Sequence, residues 1–188
     1  MIVYRKGVLN KRQCNFIINA GVSKGLKKAA VLNSEGKDYL NEAHRKSSVV
    51  FLQKEDIPGA YENLINILKD INIQYFKTKI ESYGIQLAEY SENNVAFGWH
   101  QDDSMFEIEK SYWNGRKLTA VFELSNTDDY DGGLLEVQSL AKLNNEHQDR
   151  RGIGDLIFFP SFLMHRVTPI TRGKRYSLTV WCKGPPWT

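Results

Sequence analysis

The chain has 188 residues, 41% of them hydrophobic and 25% charged, with a formal net charge of +3 at pH 7. That is enough for one well-cored globular domain and short for two. The charge is mild and scattered, without a dense Lys/Arg block, so a nucleic-acid partner is unsupported.

The opening residues, Met1 to Gly7, lack the apolar core of a signal peptide. No apolar run approaches the roughly 20 residues that a membrane helix needs, so a cytoplasmic location and no membrane partner are expected. Cys14 and Cys182 lie near opposite ends with no CxxC pairing, which argues for reduced thiols and against a zinc knuckle or disulfide scaffold.

After a short strand at Ile2 to Tyr4, Asn10 stands three residues before Gln13 in the spacing of a capping box. Cys14, Ile17 and Ile18 then share one side of a helix that Gly21 is expected to end. Ser23 to His44 is rich in Lys, Asn and Gly without a period and reads mostly as loop, with His44 a surface or core histidine and not a ligand. Val49 to Leu52 reads as a buried strand. Pro58-Gly59 opens the clearest helix, in which Tyr61, Leu64, Ile65, Leu68 and Ile71 make an apolar stripe. Such a stripe needs a sheet to cover, and the expectation is a helix that buttresses the outside of a barrel.

From Glu81 the period changes to two. Tyr83, Ile85 and Leu87 alternate with Gln86, Ala88 and Tyr90. Leu118, Ala120, Phe122 and Leu124 alternate with Thr119, Val121 and Glu123, and Tyr176, Leu178 and Val180 alternate with Arg175, Ser177 and Thr179. Three strands thus repeat one division, with an apolar face for the helices and a face carrying the groups of a polar pocket. On this parity Arg175 points into a cavity, and Trp181 lies on its side, as cavity wall or as plain core. Asp131-Gly132-Gly133 signals a turn before a strand from Leu134 to Val137. Gly154-Asp155 opens a buried strand, Leu156 to Phe159, which Pro160 breaks. Ser139 to Arg151 is polar, leaving His147 solvated, and the tail through Trp187 is expected to lie across the surface.

The chemistry-bearing stretch is Phe97-Gly98-Trp99-His100-Gln101-Asp102-Asp103. On an extended segment side chains repeat every second residue, so His100 and Asp102 emerge on one face, a bite suited to a metal ion, and parity favours Asp102 over Asp103. His165 follows far downstream, and Arg175 comes ten residues after it. Two histidines and a carboxylate on one side of an iron leave three positions open for a co-substrate and oxygen. A guanidinium fork is the side chain best shaped to anchor the far end of a chelating dicarboxylate.

From about Tyr83 to Trp187 the chain resembles the Fe(II)- and 2-oxoglutarate-dependent oxygenases, most nearly the prolyl 4-hydroxylase-like branch with its bacterial and phage relatives. The resemblance runs through Tyr90, His100 to Asp102, Arg116-Lys117-Leu118-Thr119, Asp128 to Gly133, Gly154 to Ser161, His165 and Arg175. It implies an α+β, mainly β fold, a double-stranded β-helix (jelly-roll, cupin-like) barrel with N-terminal supporting helices. Residues 1–188 would form a single domain, with 1–78 the helical support and 79–188 the barrel core. It implies His100, Asp102 and His165 as ligands of Fe(II). Arg175 and Ser177 would hold the distal carboxylate of 2-oxoglutarate, with Tyr90 touching the co-substrate and Thr119 in the pocket wall. Ser104 to Asn114 would be a lid or substrate rim.

The activity so implied consumes molecular oxygen and 2-oxoglutarate, releases succinate and carbon dioxide and hydroxylates an unactivated C–H bond, with ascorbate as a stimulant. Peptidyl proline is the leading substrate. Two alternatives stay open: the same chemistry on a free amino acid, nucleobase or other small molecule, and a cupin-like barrel that binds metal without oxygenase activity. Glu123 departs from the pattern, since animal protein prolyl hydroxylases carry a tyrosine near that place. It could pair with Arg175 or face substrate.

Overall fold

The structure is a computed structural model that describes residues 1–29, 31–32, 38–39, 47–92, 97–103, 115–138 and 152–185. His44, His147, the stretches 104–114 and 139–151, and Trp187 lie outside the described residues.

In chain order the elements are β1 (Val3–Arg5), α1 (Lys11–Lys24), β2 (Lys27–Lys28), β3 (Val31–Leu32), β4 (Asp38–Tyr39), β5 (Ser48–Leu52) and α2 (Ala60–Ile71). There follow β6 (Ser82–Ser91), β7 (Arg116–Glu123), β8 (Tyr130–Gly132), β9 (Leu135–Val137), β10 (Leu156–Pro160), β11 (His165–Val167) and β12 (Ile170–Lys183).

Helix α1 begins where the capping box places it: the Gln13 amide donates to Asn10 Oδ1 at 3.0 Å and the Asn10 amide to Gln13 Oε1 at 2.9 Å. It does not end at Gly21. The helix runs on to Lys24, where Gly25 at φ 97° terminates it. Gly21 serves packing instead, for a Cβ there would stand 2.3 Å from Leu87 Cδ2. Helix α2 buries Leu64, Ile65, Leu68 and Ile71 as its stripe requires, then loosens into a π-helical turn, Asn72–Phe76, closed by Lys77 at φ 54°. The Asn72 side chain fixes the exit, donating to Thr78 O at 2.7 Å and accepting from the Thr78 amide at 3.1 Å.

The major sheet is antiparallel in the order β1-β10-β7-β12-β6-β5-β2, so three strands of the N-terminal region, β1 on one side and β5 with β2 on the other, flank the barrel strands rather than leaving that region to helices. A small sheet pairs β11 with β9, and β8 attaches to β12. Register carries the site. In β12, Arg175 lies opposite Tyr90, Ser177 opposite Ala88 and Glu123, and Trp181 opposite Thr119.

The two faces match the alternation of the sequence. On one, Leu87, Phe122, Phe158 and Leu178 pack with Cys14, Ile17, Leu64 and Leu68 of the helices. Burying each such side chain contributes roughly 1.5–3 kcal/mol. On the other, Ala88, Tyr90, Val121 and Phe159 meet Leu135 and Val167 of the small sheet across a cavity. Sheets opposed in this way around a cavity make the double-stranded β-helix expected from the sequence.

Both cysteines are buried. Burial pushes the Cys14 thiol up to about 11 and that of Cys182 further in the same direction, so both stay protonated. No helix among the described residues is long and apolar enough to cross a membrane.

Candidate active site

His100 and Asp102, expected together from their spacing, do meet, although the segment is not a strand: His100 forms an isolated antiparallel bridge with His165 and the chain bends at Asp102. The His100 amide donates to His165 O at 3.0 Å and the His165 amide to His100 O at 2.9 Å, which fixes the two imidazoles side by side. One ligand atom from each of His100, Asp102 and His165 lies within 4.8 Å of the others. These are the three residues expected from the sequence.

The tautomers follow from what each ring touches. His100 Nδ1 lies 2.8 Å from Gly98 O and His165 Nδ1 lies 2.8 Å from Leu163 O. A carbonyl can only accept, so both Nδ1 atoms carry hydrogen and Nε2 is the ligand atom. His100 Nε2 stands 3.8 Å from Asp102 Oδ1, and His165 Nε2 stands 3.4 Å from Asp102 Oδ2. Phe97 stacks on His100 with ring centroids 3.6 Å apart, and Phe159 meets His165 edge-on at 5.0 Å. Both aromatic contacts restrict ring rotation.

Asp102 is held from three sides. Thr119 Oγ1 donates to its Oδ2 at 2.7 Å, Ser161 Oγ lies 2.9 Å from Thr119 Oγ1, and the Asp102 amide donates to Ser161 O at 2.9 Å. Arg116, fully buried, places Nη1 3.6 Å from Oδ1. Burial alone would favour the protonated acid, but His165, His100 and Arg116 outweigh it and hold the Asp102 carboxyl well below the usual range. At His165 burial pulls the other way from the Asp102 carboxylate, and the carboxylate prevails, raising its pKa.

The cavity runs from this triad to Arg175 along walls that include Tyr90, Thr119, Ser177, Thr179 and Trp181. All four cofactor-facing residues expected from the sequence, Arg175, Tyr90, Ser177 and Thr119, therefore line it. Arg175 is 1% exposed, and its Cζ lies 5.4 Å from the centroid of the Tyr90 ring. Its Nε donates to Glu123 Oε2 at 2.9 Å, while Nη1 is buried with no hydrogen-bond partner among the described residues. Burial works against the guanidinium charge, and Glu123, Tyr130 and Tyr90 outweigh it, so the arginine stays charged. Of the two places considered for Glu123 the structure gives the pairing with Arg175, and Trp181 is cavity wall.

Arg116 and Ser161 carry no role in the sequence reading. Strict alternation puts Arg116 on the helix face with Leu118. The ladder between β7 and β12 shifts register between Cys182 and Lys183, opposite Leu118 and Arg116, and a bulge of this kind re-aims a side chain. Arg116 is thereby brought 3.6 Å over the Trp181 ring and beside Asp102. Ser161 follows Pro160 at a strand end, where no period points to it.

Residues 85–183, just over half of the chain and including the triad and Arg175, match the 2OG-Fe(II) oxygenase superfamily. The chain belongs to this superfamily. Among curated relatives, the PKHD-type hydroxylase YbiX of Shigella boydii is 36% identical over 90 residues, which cover 48% of this chain and 39% of that protein. YbiX of Escherichia coli is 34% identical over the same shares. The match thus spans well under half the length of these relatives. Among solved structures, a Pseudomonas putida prolyl-4-hydroxylase superposes with a TM-score of 0.73 at 19% identity, over 97% of this chain and 92% of that one. A Trichoplax adhaerens prolyl hydroxylase in complex with a hypoxia inducible factor peptide fragment gives 0.72 at 14%, over 97% and 83%. The viral collagen prolyl hydroxylase of Paramecium Bursaria Chlorella virus-1, solved as a 2OG complex, gives 0.64 at 19%, over 98% and 96%.

The superfamily's metal and co-substrate are Fe(II) and 2-oxoglutarate, and this site fits both. Two Nε2 atoms and one carboxylate form the two-histidine, one-carboxylate set of non-haem iron. Arg175 lines the cavity as a buried guanidinium, with Nη1 a donor that has no partner among the described residues, which suits the carboxylate of a co-substrate.

Proposed function

We propose that this chain is an Fe(II)- and 2-oxoglutarate-dependent dioxygenase that hydroxylates an unactivated C–H bond, with peptidyl proline the leading substrate. The observation that carries the reading is that the buried Arg175, with Nη1 unpartnered among the described residues, lines the same cavity as the His100, Asp102 and His165 set. A barrel that merely bound metal would have no use for a buried guanidinium in the wall of the same cavity. The prolyl hydroxylases among its structural neighbours support the substrate class.

On this reading His100, Asp102 and His165 hold the iron from one side, and Thr119, Ser161 and Arg116 keep Asp102 in the ligating pose. Arg175 receives the distal carboxylate of 2-oxoglutarate, with Ser177 and Tyr90 beside it. Val121, Leu135 and Val167 exclude water from the cavity between the two ends. With both groups bound, the pair supplies oxidation of the keto acid to succinate and carbon dioxide, coupled to insertion of oxygen into a substrate C–H bond. Residues 1–188 act as a single domain in which 1–78 support the barrel.

The test is an anaerobic Fe(II) titration with and without 2-oxoglutarate, following the weak visible absorption of the chelated keto acid in wild type and Arg175→Ala. The absorption appears in wild type and needs at least about tenfold more 2-oxoglutarate in the variant, as expected for a lost charged anchor. Iron binding with no absorption at any 2-oxoglutarate concentration would refute the dioxygenase reading. Succinate formation with proline-containing peptides against small molecules then decides the substrate.

A further inference from the structure

Glu123 is the charged group near the distal end of the cavity for which the proposed chemistry has no use. Its carboxylate and the Arg175 guanidinium are 3% and 1% exposed and meet at 2.9 Å, while the Ser125 amide lies 3.4 Å from its other oxygen. Glu123 is not among the residues that line the cavity; it stands behind the guanidinium, on the Nε side, with Nη1 left over. The arginine's charge is therefore balanced before any anion arrives. In a buried, weakly polarisable setting this has two consequences. The ligand-free fold is spared an uncompensated charge, and a second carboxylate brought to the same guanidinium is repelled by the first.

Resting on the assignment of Arg175 to the distal carboxylate, we infer that Glu123 sets co-substrate affinity and selectivity. It neutralises Arg175 in the ligand-free protein and thereby weakens the hold on the distal carboxylate of a 2-oxo dicarboxylate. A residue that only oriented the guanidinium would do the opposite, since its removal would weaken binding. The sign of one substitution separates the two.

Glu123→Gln keeps the shape and an acceptor for Nε while removing the charge. The probes are 2-oxoglutarate and 2-oxopentanoate, which has a methyl group where the former has its distal carboxylate. Both are titrated into anaerobic Fe(II)-loaded protein by calorimetry and by visible absorption. In Glu123→Gln, 2-oxoglutarate binds roughly tenfold tighter while 2-oxopentanoate changes by less than about threefold, and the ligand-free variant melts at a lower temperature. Unchanged or weaker 2-oxoglutarate binding overturns the inference, as does an equal gain for both acids. Wild type that binds no 2-oxoglutarate overturns the reading of the site and this inference with it. Binding in wild type that Glu123→Gln leaves unaltered overturns the inference alone. Should Glu123→Gln fail to fold, Glu123→Asp decides the point, because it keeps the charge and draws it back from Nε. It gives a smaller gain in the same direction, and no gain is a refutation.

Discussion

Along β7, residues Leu118, Ala120 and Phe122 face the helices while Thr119, Val121 and Glu123 face the cavity side, and none of the six is more than 8% exposed. The two faces are equally dry and chemically opposite. On the helix side burial removes apolar surface from water and stabilises the fold. On the cavity side the same strand buries Thr119 and Glu123, alongside Asp102, Arg175 and Ser177 of neighbouring segments, and desolvation of these groups disfavours folding unless each finds a partner. Depth of burial therefore does not distinguish core from site. What distinguishes them is whether the buried groups satisfy one another or leave a donor over, as Arg175 Nη1 is left.

If the division is real, a substitution on either face should strike one property and spare the other. The largest effect is expected on the cavity side. His165→Ala removes one of three ligand atoms and should lower Fe(II) affinity by more than the roughly 10–100-fold that loss of an outer partner costs. The metal-free protein should melt close to wild type. Equilibrium dialysis and a thermal scan check both halves. Iron affinity that survives the substitution would move the metal site elsewhere.

The corresponding change on the helix side is Leu68→Ala. Leu68 is 1% exposed in the cluster that joins α2 to the major sheet, and its truncation should cost about 2–5 kcal/mol in denaturant unfolding. The fraction that stays folded should bind Fe(II) as wild type does. A loss of iron affinity in proportion to the loss of stability would show that the two faces cannot be separated.

How far this division was legible follows from its period. Alternation in β6, β7 and β12 needs only residue order, so the faces and the cavity side of Arg175 are legible in the sequence; His100 and Asp102 do come together as their spacing suggests, although the chain bends at Asp102 and no strand runs through them. Features that break the period are not legible there. Arg116 reaches Asp102 and the Trp181 ring through a register shift, and Ser161 sits after a strand end. Glu123 fell on the expected face, but two partners were open to it, and only the register opposite Ser177 chose Arg175. Gly21 was misread for a different reason. A glycine late in a helix signals either a stop or a close approach, and the two cannot be told apart without knowing what lies beneath.

Gly21→Ala turns that ambiguity into the smallest of these tests. Inside α1 the substitution should gain up to about 1 kcal/mol from helix propensity. Against this, the new Cβ would stand 2.3 Å from Leu87 Cδ2 and 3.2 Å from Val50 Cγ1. The nearer atom is the end of a side chain, which can turn, but Leu87 is fully buried, and overpacking a filled core costs roughly 1–3 kcal/mol. The net expectation is a destabilisation of up to about 2 kcal/mol by denaturant unfolding. In a Leu87→Ala background the nearest obstruction is gone and Val50 Cγ1 at 3.2 Å is the tight contact that stays, so the same change should cost less or turn stabilising, since the propensity gain remains and the methyl group fills space. A Gly21→Ala effect that is the same in both backgrounds would mean that α1 is not seated on β6 at this point, and with it the helix-packed face would lose one of its contacts.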